Sequence, residues 1–313
     1  MKSTPTDIIS FKYTVLAFAA ALVCNVTHSF EVSTHEYLTR SAIQRSVIIK
    51  DVTLFTRLGF PPFGSALYFP NLKLPNSNAQ DAVTTLSMGA VWEDDRYDKV
   101  AYNHFFDPQF NNRQGRGLDT LIVHGIPSPD WALSDKTPYP IDLNNPRSWV
   151  SAENPYQTNS QGFSYRDANV AFYKALTDPV PNARQNQTGL ALQSLGHVTH
   201  HIQDMAQPQH VRNDPHLHRL TIPIFGGSFL DNGLPSGAAR FELDTEKLNQ
   251  ADIDQLMTSA ELSVPARVLV QPPKLLTARQ YFHGPITGVN YLGMADFTAH
   301  NFVTQATGLH PLL

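Results

Sequence analysis

Residues 196–210 read Gly-His-Val-Thr-His-His-Ile-Gln-Asp-Met-Ala-Gln-Pro-Gln-His. They close an apolar-periodic run, Leu190, Leu192, Leu195, Val198 and Ile202, that predicts a buried helix. His200 and Asp204 are four residues apart and leave the same helix face, as do His197 and His201. Pro208 is expected to break the helix just before His210 and let that imidazole turn back toward the same point. Burying so many imidazoles without partners costs about 1–3 kcal/mol for each unsatisfied group. Two imidazoles and a carboxylate converging on one point suit a zinc ion. Spacing alone leaves open which His of the cluster binds.

The chain has 313 residues, 42% hydrophobic and 16% charged, with a formal net charge of −4. That composition suits a globular protein with a sizeable core. The negative balance argues against a broad nucleic-acid surface held by phosphate contacts. It leaves room for a small phosphate-ester site in which metal ions supply the positive charge.

Lys2 and Lys12 precede the short apolar run Thr14–Val23. Residues 1–29 therefore read as a secretory signal cleaved before Phe30, with a secreted or periplasmic product. A lipoprotein leader ending at Cys24 ranks second, because Val23 is bulky where a small residue is wanted. No later stretch is long and apolar enough for a membrane helix. Cys24 is the sole cysteine, so cleavage after Ser29 removes it.

Downstream, Ser33 and Glu36 form a capping-box pattern, predicting a helix through Tyr37, Leu38, Ala42 and Ile43 with His35 in its first turn. A second helix is expected from Asn78 or Gln80, carrying Ala82, Val83, Leu86, Ala90 and Val91 inward and ending at Trp92-Glu93-Asp94-Asp95. Residues 52–78 and 111–162 read as irregular loop without chemistry, with Trp131 and Trp149 as packing residues. Tyr165–Leu176 is helical, built on Ala168, Val170, Ala171, Phe172 and Ala175. A polar break at Asn182–Thr188 leads into the histidine-bearing helix. One further helix is expected from Phe241-Glu242 toward Leu256, and a last one over Asn290–Thr304 that packs Leu292, Phe297 and Phe302. No repeat or domain boundary is visible, so residues 30–313 read as one domain.

The run His200-x3-Asp204-x5-His210, with Gln207-Pro208 inside it, resembles the metal helix of the zinc-dependent phospholipase C and single-strand-specific nuclease superfamily. Gly89 to Asp94, followed by His104-Phe105-Phe106-Asp107-Pro108, is similar to that superfamily's second ligand segment. Phe30 and His35 match its first, where the amino-terminal residue chelates zinc through backbone atoms, although that residue is usually Trp. The resemblance implies an all-α, mainly helical single domain with long loops and a multi-zinc cleft. It selects His200 over its neighbours. Asp94, His104, His200 and Asp204 would hold one zinc, with Asp95 a substitute for Asp94. Asp204 would bridge to a second zinc held by Phe30 and His35.

His210 and Glu242 would serve a third zinc, where Ala238 stands in place of the expected His and His216 or His218 is a replacement. The implied activity is phosphodiester hydrolysis by a zinc-activated water that Asp94 helps to orient. Phe105 and Asp107 match substrate-contact positions. Absence of cysteine from the mature chain and Glu242 lean toward the phospholipase C branch, with transient membrane-surface contact by a monomer. A single-strand nuclease or 3'-nucleotidase is the alternative within the superfamily. A non-catalytic exported zinc-binding protein is the alternative outside catalysis.

Overall fold

The computed structural model describes residues 32–46, 51, 53–57, 67–68, 79–94, 100–119, 124–134, 162–213, 221–222, 227–228, 245, 247–263, 277–284 and 293–301. The expected leader, Phe30, Asp95, His216, His218, Ala238 and Glu242 lie outside these residues. The described chain is mainly helical. Seven helices frame the site: α1 (Val32–Arg45), α2 (Ala82–Asp94), α3 (Ser128–Leu133), α4 (Tyr165–Thr177), α5 (Pro181–Asp204), α6 (Gln250–Ser263) and α7 (Met294–Asn301). Strand structure among the described residues amounts to two short antiparallel pairs, Leu67–Tyr68 with Ala79–Gln80 and Thr221–Ile222 with Gly227–Ser228. No described helix is long and apolar enough to cross a membrane.

Helix α5 is the axis. It packs along α2 on one side and α4 on another, and α2 in turn packs on α1. Val198, Ile202 and Met205, spaced on one face, enter a core with Phe106, Ala132, Leu133, Val211, Phe282, Ala295 and Ala299. Fully burying side chains of this kind contributes about 1.5–3 kcal/mol each. Where α5 crosses α2, Gly196 faces Gly89. A Cβ on Gly196 would stand 2.2 Å from the Leu86 carbonyl oxygen and 2.7 Å from Gly89 Cα. The two backbones therefore meet with no side chain between them.

Several boundaries differ from the sequence reading. Helix α1 begins at Val32, so Ser33 lies inside it and does not cap it. Helix α2 starts at Ala82, because Ala79–Gln80 pairs as a strand. The polar stretch Asn182–Thr188 is helical. Pro181, the first residue of α5, is pre-set for that position, and no breaker follows it. Helix α5 ends at Asp204, four residues before Pro208; the chain then winds through tight turns, with Gln207 N–H on the Asp204 carbonyl and His210 N–H on that of Gln207.

In α4 the buried stripe is Ala168, Ala171 and Ala175, small residues that allow close approach to α5, while Val170 and Phe172 face outward. Phe297 of α7 is likewise exposed, and Ala295 and Ala299 do the packing. Ser128–Leu133 forms helix α3 inside a region expected to be loop. The helix expected from Phe241 is described over Gln250–Ser263. It is tied to α1 by Arg45 and Ser41, both of which engage Asp254.

Candidate metal centre

Four segments deliver the cluster. His35 comes from α1, Asp94 from the last residue of α2, His104 from the 3-10 turn Val100–His104, and His200 and Asp204 from the end of α5. The His104 segment is pinned on both sides: Phe106 N–H donates to the His210 carbonyl at 2.8 Å, and Ser128 N–H donates to the Phe105 carbonyl at 3.0 Å. His35, His104, His200 and Asp204 are at most 1% exposed and Asp94 is 6% exposed.

Four atoms converge. His200 Nε2 lies 3.2 Å from His104 Nδ1, 3.2 Å from Asp204 Oδ2 and 3.5 Å from Asp94 Oδ1. His104 Nδ1 lies 3.1 Å from Asp204 Oδ2 and 3.5 Å from Asp94 Oδ1. Ligands about 2.0–2.1 Å from a tetrahedral zinc stand about 3.3 Å from one another. The separations within His104, His200 and Asp204 lie close to that value, so these three fit such an ion in chemistry and spacing, with Asp94 Oδ1 3.5 Å from both imidazoles.

The other two carboxylate oxygens face His35. Its Nε2 is 3.5 Å from Asp204 Oδ1 and 3.9 Å from Asp94 Oδ2. Each of the two acids thus turns one oxygen to the His104–His200 pair and the other to His35. The rings of His35 and His200 stack with centroids 3.8 Å apart, so the two subsites adjoin.

Backbone and amide acceptors fix which ring nitrogen points inward. His200 Nδ1 donates to the Ala90 carbonyl at 2.7 Å, leaving Nε2 toward the acids. His35 Nδ1 donates to Gln203 Oε1 at 2.6 Å, and the Gln203 amide is held in turn by donating to Thr39 Oγ1 at 2.9 Å. His210 Nδ1 donates to the His104 carbonyl at 2.9 Å. Such acceptors set the tautomer of a ligating His and raise its basicity.

The electrostatics tell the same story. Burial, with His200 alongside, pushes His35 down to about 4, so its Nε2 carries a lone pair. His200 meets the same desolvation, yet the charges of Asp204 and Asp94 outweigh it and raise it to about 10. Asp204, although desolvated, is held well below the usual carboxylate range by His200 and His104. Lone pairs and carboxylates crowded together need a positive charge among them. Without a metal, a proton on His200 fills that need.

His197 and His201, the other i, i+4 pair, meet a carboxylate that the sequence reading did not single out. Glu93 accepts from His197 Nδ1 at 2.5 Å, from His201 Nε2 at 3.0 Å and from Trp131 Nε1 at 3.0 Å. Burial pushes His201 down to about 4, and its Nδ1 lies 3.0 Å from Ser128 Oγ. Trp131 therefore packs, as expected, and also donates into the cluster. The legible signal for Glu93 was the second His pair itself, since buried imidazoles four apart demand a partner. Nothing in the sequence marked Ser128 or Gln203.

Of the other expected site residues, His210 is brought beside the cluster, stacked on Phe105 at 4.2 Å. Phe105 is buried with Tyr102 and Leu118 and turns a ring face to that imidazole. Asp107 is half-buried, with Arg116 Nε 3.6 Å away. Three overlapping groups of described residues could hold a metal ion: His35 with Asp94 and His200, His104 with His200 and Asp204, and Glu93 with His104 and His201. Protein-family models, curated proteins and solved structures were compared with the chain, and none matches it.

Proposed function

We propose that the chain is an exported zinc-dependent phosphoric-ester hydrolase of the phospholipase C type, cleaving a phosphodiester at two adjoining metal subsites. The observation that carries this reading is the double sharing of carboxylates. Asp94 and Asp204 each present one oxygen to His104 and His200 and the other to His35. Asp94 and Asp204, shared in this way, would hold two ions side by side, and such a pair would supply positive charge to both the attacking and the leaving oxygen of an in-line displacement at phosphorus. Zinc there would supply Lewis acidity toward a phosphoryl oxygen and bring the pKa of a water to about 7.

The residues divide the work. His104, His200 and Asp204, with Asp94 as the fourth donor, would hold one ion in the closed pattern of a position that keeps an ion in place. The His35 subsite has three described donors, His35, Asp94 and Asp204, to which the resemblance would add backbone atoms of Phe30, and substrate and water would meet the ion held there. Asp94 Oδ2, which faces His35 at 3.9 Å, would orient the attacking water. Gln203 keeps the His35 proton on Nδ1 and out of the subsite. Burial of the acids strengthens their hold on any cation, since the effective dielectric falls.

A specific observation favours a second reading, a non-catalytic zinc-binding protein: every donor in the cluster is deeply buried. Turnover separates the two. The cleaved protein loaded with zinc is assayed on a chromogenic phosphodiester, with phosphatidylcholine and single-stranded DNA in parallel. Hydrolysis that disappears with a chelator and returns with zinc supports the enzyme. Tight zinc binding without turnover of any of the three supports the second reading.

A further inference from the structure

Glu93 sits behind the metal subsites and belongs to neither of their ligand sets. It is fully buried next to Asp94, at the end of α2. Its Oε1 lies 3.9 Å from His104 Nε2, the ring nitrogen on the far side from the subsite. That nitrogen is buried and makes no hydrogen bond among the described residues. The opposite nitrogen, Nδ1, faces Asp204 Oδ2 at 3.1 Å. The single proton of a neutral His104 is therefore contested. Asp204 draws it to Nδ1, where it blocks a metal. Glu93 draws it to Nε2, where it leaves Nδ1 open, and so does any proton on His200 Nε2, 3.2 Å from His104 Nδ1.

We infer that Glu93 is a positioning residue for the zinc centre: its charge keeps the His104 proton on Nε2 and commits Nδ1 to the metal. The inference rests on the reading of this cluster as a zinc site. Two features favour it over a further metal position at Glu93, His104 and His201. The first is saturation. Glu93 already accepts from the rings of Trp131, His197 and His201, as a resident anion would. The second is charge. Asp94, Asp204 and Glu93 are three buried acids. Two divalent ions leave about one net positive charge, which a bound anion cancels, whereas a third ion would leave about three, too costly in a buried site.

The geometry of α5 makes the arrangement possible. His200 and Asp204 point from one face to the metal subsites. His197 and His201, displaced by three residues, point from the adjacent face to Glu93. The adjacent acids Glu93 and Asp94 at the end of α2 divide in the same way, one to each pair.

The test uses the full cleaved chain with 15N-labelled histidine, zinc alone as the probe, and two readouts. Ring 1H–15N spectra report which nitrogen of His104 is protonated, and chelator-competition titration reports zinc affinity. In the unaltered protein, zinc-loaded His104 carries its proton on Nε2. In Glu93→Gln the zinc-free ring, read above about pH 10 where His200 is neutral, shifts toward the Nδ1-protonated form, and zinc affinity falls by about 10- to 100-fold, with the number of ions at saturation unchanged. Glu93→Asp, which keeps the charge, restores most of the affinity.

Unchanged affinity and tautomer in Glu93→Gln overturn the inference while leaving the zinc site standing. Loss of one ion at saturation also overturns it, because Glu93 would then be a ligand. A His104 ring that does not respond to zinc in the unaltered protein sinks both this inference and the metal reading beneath it. Should Glu93→Gln fail to fold, the unaltered protein still decides: an Nδ1-protonated His104 in the zinc-loaded state refutes the inference.

Discussion

Replacing Gly196 with alanine tests whether the close crossing of α2 and α5 sets the metal site. The new Cβ would stand 2.2 Å from the Leu86 carbonyl oxygen, whereas ordinary contact begins at 3.4 Å. The obstacle is backbone, so no side chain can swing aside, and the helices must part by roughly 1 Å at the crossing. Parting moves His200 and Asp204 away from Asp94, although zinc ligand distances tolerate only about 0.2 Å. Overpacking costs about 1–3 kcal/mol, offset by the roughly 1 kcal/mol that alanine gains over glycine in a helix. The expected outcome is a small net loss of stability, about 0–2 kcal/mol in urea unfolding of the zinc-free protein. Zinc affinity should fall far more, by on the order of 100-fold or greater. A Gly196→Ala protein that binds zinc within about threefold of the unaltered chain would refute the reasoning.

Other outcomes follow from the same geometry. Asp204→Asn preserves shape but removes charge from both subsites. Zinc content by elemental analysis should drop and phosphodiester turnover should fall by more than about 100-fold; His104→Ala should do the same. Zinc-free stability should peak near pH 6.5 in denaturant melts across pH. His35 and His201, pushed down to about 4, contribute stability that is present above about 6.5 and lost as pH falls toward 4, at roughly 2–3 kcal/mol per pH unit. His200, raised to about 10, contributes stability that is present below about 6.5 and lost as pH rises toward 10. Zinc binding should displace the His200 proton, so zinc affinity measured in weakly chelating buffers should rise about tenfold per pH unit between 7 and 9. A flat profile would mean that the site does not hold that proton.

The helices that carry the site were legible because their apolar spacing and their His and Asp residues coincide. His200 and Asp204 share a face as their spacing demanded, and α1, α2 and α4 lie within a few residues of where the pattern put them, whereas α5 begins at Pro181, ahead of the expected break. What the sequence hid depends on distant contacts. Residues 182–188 looked like a break because polarity was read as loop, although a helix with one wet side is polar there too. Val170, Phe172 and Phe297 looked like core by character, but alanines took the contact faces and left the large residues outside. Glu93 looked like solvated helix end. Its burial depends on the Trp131 indole arriving from a helix more than thirty residues away, which no local pattern encodes. Asp94 was expected to serve one ion. Its second oxygen turns to His35 only because α1 packs across α2.

The donors that surround the two subsites come from α1, α2, the His104 turn and α5, so an ion bound there acts as a cross-link between stretches far apart in the chain. With one cysteine in the whole sequence, no intrachain disulfide can do that work. Closing such long loops restricts the unfolded chain, and every ion held tightly by the folded form adds mass-action stability, about 4 kcal/mol at a thousandfold excess over the dissociation constant. Unlike a disulfide, this fastening is undone by scarcity and not by reduction. Were zinc withheld from such a centre, α1 would keep only its packing and the His35–Gln203–Thr39 hydrogen bonds to the end of α5. On the proposed reading, a shortage that emptied the centre would also lower the stability of the fold and so its resistance to proteases, and the protein's lifetime would follow the metal supply of its surroundings.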